Sequence, residues 1–214
     1  MTLQTLPRMI SLEGGEGAGK STVITLITKT LRELGESVVQ TREPGGTPYA
    51  EDIRHLLLSD HDESPTPEVE VLLMFASRAQ HVQKLILPTI AHGGWIVCDR
   101  FADASYAYQG AARGLDVQKL DMLNEHFIGV QPGLTILLDV DVATGQARVD
   151  ARGNRDRIEK EDPSFFEAVR QGYLTRAGQE PNRIRTVDAT QSAEQVAEHV
   201  RAIVTEYAQA HLSE

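Results

Sequence analysis

Apolar positions along this chain alternate between two rhythms. Short runs of strand length occur at Met9-Ile10-Ser11-Leu12-Glu13, Ser37-Val38-Val39-Gln40-Thr41, Trp95-Ile96-Val97-Cys98 and Leu134-Thr135-Ile136-Leu137-Leu138, with a weaker one at Ile184–Val187. Between them the spacing turns helical. Val23, Ile24, Ile27, Leu31 and Leu34 share a face, and Gly35 stands where a helix-ending glycine belongs. Residues 49–58 predict a helix, and residues 68–92 a long one in which Pro88 predicts a kink or break. Val196, Val200, Ile203, Val204 and Tyr207 mark a last amphipathic helix. Strands that are apolar almost throughout, alternating with helices, predict a parallel sheet covered on both faces. Ligands of such sheets bind beyond the C-terminal strand ends.

Composition narrows this picture. At 214 residues the chain is read as one domain, residues 1–214, with a sizeable core. No apolar run approaches membrane-spanning length, and the N-terminus carries no signal-peptide pattern. Cys98 is the single cysteine, so no intrachain disulfide is expected and a cytoplasmic location is. A net charge of −10 argues against a nucleic-acid surface. It also conflicts with any phosphate-rich ligand, unless arginines gather in one cleft of an acidic body. The seven histidines are scattered without a paired metal-binding spacing, so no histidine-based metal site is expected.

The chemistry sits at the predicted strand ends. Gly14-Gly15-Glu16-Gly17-Ala18-Gly19-Lys20-Ser21 fits G-x-x-x-x-G-K-[ST], the phosphate-cradling P-loop, in its required strand–loop–helix context. Its glycines let backbone N–H groups turn inward, Lys20 reaches the β- and γ-phosphates, and Ser21 offers Mg²⁺ a hydroxyl. An apolar strand ending in aspartate supplies a second metal ligand, with Asp99 and Asp139 as candidates. Asp99 is preferred because Arg100, a fork-shaped phosphate donor, follows it. Asp139 then reads as a helix-capping or loop carboxylate. Residues 148–162 predict a short mobile lid carrying Arg148, Arg152, Arg155, Arg157 and Lys160, which could bring positive charge to a transferring phosphoryl group once water has left.

Taken in order, Glu13 to Thr22, Arg42-Glu43-Pro44-Gly45-Gly46-Thr47, Asp99-Arg100-Phe101, Ala107-Tyr108-Gln109-Gly110, Arg113-Gly114, Arg152-Gly153 and Asp156-Arg157-Ile158-Glu159 resemble the thymidylate kinase family over nearly the whole chain. The resemblance implies a P-loop nucleoside monophosphate kinase fold with a five-stranded parallel sheet. It also implies ATP and dTMP as substrates, Mg²⁺ as cofactor and a homodimer. Gly14 to Thr22 would bind ATP, with Ser21 and Asp99 holding the metal. Glu16, Arg54, Phe75, Arg78, Arg100, Ser105, Tyr108 and Gln109 would bind dTMP. Glu16 would receive the sugar 3′-hydroxyl, Arg54 and Arg100 would clamp the phosphate, and Arg78 and Ser105 would read the base. Tyr108 would lie beneath the deoxyribose, with Gln109 nearby.

Two departures sharpen the resemblance. Some members carry an arginine just after the P-loop acid; Gly17 stands there, which shifts the catalytic arginine to the lid, at Arg152, to act with Lys20, Asp99 and Arg100. Members usually place phenylalanine four residues before the base-reading arginine. Met74 stands there and Phe75 follows it, so the contact is assigned to Phe75, with the Met74 sulfur as the alternative. Two rivals stay open. One is a kinase for another nucleotide or for a nucleoside, the latter needing a carboxylate base. The other is a P-loop switch that exchanges partners with nucleotide state.

Overall fold

The computed structural model describes residues 3–153 and 156–211, leaving aside the side chain of Arg152. Five strands form one parallel sheet: β1 (Gln4–Gly14), β2 (Val38–Arg42), β3 (Trp95–Asp99), β4 (Val130–Asp139) and β5 (Ile184–Asp188), in the order β2-β3-β1-β4-β5. All five apolar runs are strands. β1 and β4 extend well beyond their apolar centres, because Gln4, Thr5 and Leu6 pair with Val130, Gln131 and Pro132. Polar residues there gain ladder hydrogen bonds that an apolar-run criterion cannot see.

Alternation along the strands separates the two faces. Trp95 and Val97 point with Ile10, Leu12, Leu134, Ile136 and Leu138 toward α1 (Lys20–Glu33) and the C-terminal helix Ala193–His211. Ile96 and Cys98 point with Met9 to the opposite face. There they meet the helices Pro67–His81 (α3), Leu87–Ala91 (α4), Ala102–Ser105 (α5) and Val117–Leu123 (α6) and their extensions, while Pro48–Leu58 (α2) packs on α3. The remaining helices are α7 (Val142–Arg152), α8 (Pro163–Gln179) and the C-terminal α9 named above. α1 ends as its sequence predicts: Gly35 takes φ 90°, its N–H reaches Arg32, and the N–H of Glu36 reaches back to Leu31.

Pro88 does not break the long helix. α3 continues through a wider π-turn at Val82–Ile86 into α4, and Pro88, which has no N–H for the α ladder, follows that irregular turn directly. A second π-turn, Tyr106–Ala112, extends α5. It buries Tyr108 and Gln109 beside Ser105, and this mixed α/π scaffold brings all three to one cleft.

Register places the functional loops at one height. Leu12 and Arg42 both pair with Asp99, and the next backbone bonds run from Arg100 N–H to Leu12 O and from Glu43 N–H to Asp99 O. Beneath these loops lies a buried polar layer. Glu13 accepts from Phe101 N–H (2.6 Å) and from the Tyr173 hydroxyl (2.8 Å). Asp103 accepts from Arg183 (2.8 and 2.9 Å) and Arg176 (3.2 Å). Burial alone would raise the Asp103 pKa, but Arg183 and Arg176 outweigh it and hold the carboxyl below its usual range. Glu13 has no such partner. Burial, then the Asp103 charge, push it up to about 8, against the pull of Arg100.

A carboxyl raised in the folded state favours folding fully below its unfolded pKa and loses that contribution as pH climbs to its folded value. For Glu13 the window runs from 4.5 to about 8. Glu13→Gln, which cannot ionise, is expected to gain stability relative to the parent across this window, by at most about 5 kcal/mol, with the gap flat above it. Urea denaturation midpoints measured along a pH series check this, and parallel curves for the two proteins would contradict it.

Candidate functional site

Beyond the C-terminal ends of β1, β2 and β3 lies a cleft of about 820 Å³. Six cations line it, Lys20, Arg42, Arg54, Arg78, Arg100 and Arg148, in a chain of net charge −10. The arginines have gathered in one place, as a phosphate ligand requires.

The Gly14–Ser21 loop forms one wall. Gly19 caps α1 in the left-handed region (φ 88°) with no side chain on the first N–H groups and no acid in the first turn. Those N–H groups and the helix dipole are therefore available to an anion. Lys20 lies over the loop, its Nζ donating to the carbonyls of Gly14 (3.1 Å) and Gly15 (2.8 Å). Its pKa is lowered, by burial first and by Arg100 second. Gly17 has φ 71°, and a Cβ there would overlap the Gly145 carbonyl; a Cβ on Gly145 would meet the Glu16 carbonyl oxygen. The first turn of α7 thus packs backbone to backbone on the loop. Arg148, one turn further on, donates to Gly17 O (3.2 Å) and Ala189 O.

Arg100 joins this wall to β3. It is the one non-glycine residue with positive φ (67°) among those described, and so sits in a sparsely populated conformation. Its guanidinium donates to Gly14 O (3.0 Å), the Tyr173 hydroxyl (3.0 Å) and Glu16 Oε1 (2.5 Å), and lies 5.0 Å from the Tyr108 ring centre. Tyr108 donates to the same Glu16 oxygen (2.8 Å). Arg54 approaches from α2, steadied by Pro44 O (2.8 Å). Burial and the charge of Arg42 lower its pKa, a strain that an arriving anion would relieve.

The two candidate metal aspartates separate clearly. Asp139 forms a two-pronged ion pair with Arg170 (2.7 and 3.0 Å), and the cap of α7 is Asp141, which accepts from Thr144 N–H (2.8 Å). The reading of Asp139 as a cap is corrected to an ion-pair partner. Asp99 faces the cleft, and its Oδ1 is buried with no hydrogen-bond partner among the described residues. A buried, unpaired carboxylate oxygen beside a P-loop serine fits a hard cation.

At the far end of the cleft the cation is Arg78. Its Nε bonds Glu43 (2.6 Å), and its terminal nitrogens bond Ser105 Oγ (3.1 Å) and Phe101 O (3.0 Å). Met74, Ser105, Tyr108 and Gln109 line the same end. Phe75 does not. It is 3% exposed in the core behind the site, with the Arg78 guanidinium 4.9 Å from its ring. The assignment of the base contact to Phe75 is therefore corrected: the helical turn carries Met74 into the cleft and Phe75 away from it.

The segment read as a lid, residues 148–162, is described in part. Arg157 donates to Leu57 O (2.9 Å) and Glu70 (2.7 Å), and Lys160 pairs with Asp60, so both fasten to the α2–α3 side. Glu70 also accepts from Gln109 (3.0 Å) and Arg113 (3.4 Å), joining lid and cleft wall. Arg152 ends α7 with its side chain outside the described residues, and Arg155 lies outside them altogether. Sequence reasoning missed Glu13, Glu43, Glu70, His81 and Tyr173. Glu13 and Glu70 stand against apolar runs, which was the available signal; Glu43, His81 and Tyr173 stand in polar sequence, and the partners of all five lie far along the chain.

Comparison with known proteins accords with this geometry. The family model described as thymidylate kinase matches residues 12–200. A thymidylate kinase of Alcanivorax borkumensis is 50% identical over 200 residues, covering 93% of this chain and 96% of that one. One from Chromohalobacter salexigens is 51% identical over 203 residues, covering 93% and 95%. The crystal structure of thymidylate kinase from Ehrlichia chaffeensis superposes with a TM-score of 0.74 at 30% identity, over 94% of this chain and 99% of that chain. With a P-loop facing paired arginines across one cleft, and relatives matched over nearly their whole length, this chain belongs to the thymidylate kinase family.

Proposed function

We propose that this protein transfers the γ-phosphoryl group of ATP to the phosphate of dTMP, giving ADP and dTDP on the route to dTTP. One observation carries the reading. Two phosphate-binding groups face each other across a single cleft, the P-loop on one side and Arg54 with Arg100 on the other, and Arg100 is bonded to both Glu16 and Gly14 of the loop. Donor and acceptor phosphates held on these walls meet in line, which removes most of the entropic barrier to transfer.

Gly14 to Thr22 wrap the ATP phosphates, and Lys20 exchanges its loop carbonyls for phosphate oxygens. Ser21 and Asp99 are the residues that would hold Mg²⁺, which would supply positive charge to offset that of the donor phosphates. Arg54 and Arg100 clamp the dTMP phosphate. Glu16, fixed by Arg100 and Tyr108, receives the 3′-hydroxyl. The Tyr108 ring fills the space beneath the sugar where a 2′-hydroxyl would sit. Ser105, Gln109 and Met74 enclose the base beside Arg78, which has two of its five N–H groups left after its three protein bonds. The acceptor is already an oxyanion, so no strong base is needed. Catalysis then rests on position and on positive charge from Lys20 and Arg152.

ADP release measured across dTMP, dUMP, dCMP, dGMP and thymidine tests the assignment: dTMP is expected to be preferred, and preference for any other acceptor overturns it. Arg152→Ala is expected to lower kcat by about 10³-fold while leaving substrate affinities little changed. A loss below about fivefold in single-turnover transfer would move that role to Arg148 or Arg155, since Arg157 is tied to Glu70.

The homodimer belongs to the same reading, as does a cytoplasmic setting, which suits the substrates and the lone thiol. α2 packs on α3, and α3 on the turn Asn124–Ile128. These elements expose Tyr49, Leu56, Val69, Leu72 and Phe127, with Leu72 at 57% and Phe127 at 64%. So many large apolar groups on adjoining helices suit a covered face. Sedimentation equilibrium is expected to give twice the chain mass, and a Leu72→Glu variant to shift toward one chain. A parent protein at single-chain mass would contradict the dimer.

A further inference from the structure

His81 stands at the end of α3, fully buried and outside the cleft lining, and no step of the proposed transfer uses it. Its Nδ1 lies 3.0 Å from Glu43 Oε1 and its Nε2 2.8 Å from Thr41 Oγ1. A carboxylate can only accept, so Nδ1 carries the proton toward Glu43, and Nε2 meets the Thr41 hydroxyl. The other Glu43 oxygen takes the Arg78 Nε–H at 2.6 Å. A continuous hydrogen-bonded chain therefore runs Thr41–His81–Glu43–Arg78, and it ends at the cationic group facing the acceptor's base.

Glu43 needs such an anchor. It begins the loop Glu43-Pro44-Gly45-Gly46, whose two glycines take φ 128° and 88° and give it little stiffness of their own. The loop is held to α3 instead: Gly45 N–H donates to Ser77 Oγ (3.0 Å), and the Gly46 backbone lies against the His81 ring and Thr41. Glu43, His81 and Cys98 approach within 4.8 Å of one another, close enough to suggest a cation site. Both Glu43 oxygens are already engaged, however, and the Arg78 charge adjoins them, so the chemistry is that of a relay.

We infer that His81 is a positioning residue for acceptor selection, acting through Glu43 to set the direction in which Arg78 offers its free N–H groups to the base. This rests on the reading of Arg78 as the group that meets the base. Arginine only donates, so a well-aimed Arg78 favours a base presenting a keto oxygen, as thymine does, over one presenting an amino group, as cytosine does. Without the His81 donor, Glu43 keeps a buried unsatisfied oxygen, and the carboxylate that takes Arg78 Nε–H loses the side-chain anchor on its other oxygen.

The test uses His81→Leu, which removes both ring contacts, His81→Asn, whose amide can replace Nδ1 toward Glu43, and His81→Gln, whose longer amide reaches toward Thr41 instead. Arg78→Ala runs beside them. KM for dTMP, KM for ATP, the dTMP-to-dCMP ratio of kcat/KM and the Tm are read for each. His81→Leu is expected to raise KM for dTMP about tenfold and narrow the ratio, with KM for ATP within about twofold of the parent. His81→Asn is expected to restore most of both, and His81→Gln to behave like His81→Leu. If His81→Leu does not fold, the contrast between Asn and Gln decides. Equal losses for dTMP and ATP, or a lowered Tm with the ratio unmoved, would reduce His81 to a packing residue and overturn the inference. If Arg78→Ala narrows the ratio and the His81 variants do not, the relay fails while the Arg78 reading stands. If Arg78→Ala leaves the ratio unmoved, that reading fails and the relay with it.

Discussion

The contact between Arg100 and the P-loop is the constraint on which the rest of the site depends. Parallel strands end in loops that have no reason of their own to lie close together. Here the end of β3 turns through a left-handed residue, and its guanidinium reaches Gly14 O and Glu16 on the loop after β1. A non-glycine residue is held in that conformation only where its surroundings over-determine it. Those surroundings are explicit: Tyr173 accepts from Arg100 and donates to Glu13, while Glu13 accepts from the N–H of Phe101, the next residue along. Burial would lower the Arg100 pKa, but Tyr108 and Glu16 outweigh it and hold the group firmly charged. A fixed cation between two phosphate-binding loops lets one small cleft hold two substrates.

The same arrangement resolves the conflict between net charge and ligand charge. The acids are not absent from the cleft; Glu16, Glu43, Asp99, Asp156 and Glu159 also line it. Most of them are committed to named donors. Glu16 is bonded to Arg100 and Tyr108, Glu43 to Arg78 and His81, and Asp156 and Glu159 to each other's backbone N–H. Asp99 differs, with one oxygen left unpaired. An acid bonded to an arginine orients it, so part of the negative charge here aims the positive charge instead of cancelling it.

What the sequence made legible follows the range of the interaction. The five strands, the helix stop at Gly35 and the P-loop are local patterns, and the sheet brought them together as expected. The choice between Met74 and Phe75 turned on a single helical step, which periodicity alone leaves undecided until α3 is packed. Glu13, Glu70 and His81 were illegible for another reason. Glu13 meets Tyr173 across 160 positions, Glu70 meets Arg157 across 87, and His81 meets Glu43 across 38. No spacing rule reaches that far. Only the placing of acids such as Glu13 and Glu70 against apolar runs hinted that partners must exist.

Gly17 and Gly145 show how the packing of two backbones can decide where a catalytic group comes from. At Gly17 a side chain has no room, because the first turn of α7 rests on the loop there, and Gly145 is equally confined by the Glu16 carbonyl. A loop arginine at that position would have to push α7 away, so the chain that accepts this contact must take its cation from elsewhere. α7 supplies the alternative by its own geometry. It starts against the P-loop, lays Arg148 on Gly17 O, and ends one turn later at Arg152. Positions 148 and 152 are one helical turn apart, so the turn that lays Arg148 on the loop is followed directly by the end of α7. The close approach that leaves no room for a loop side chain is thus the same one that fixes the helix on which the proposed catalytic arginine stands.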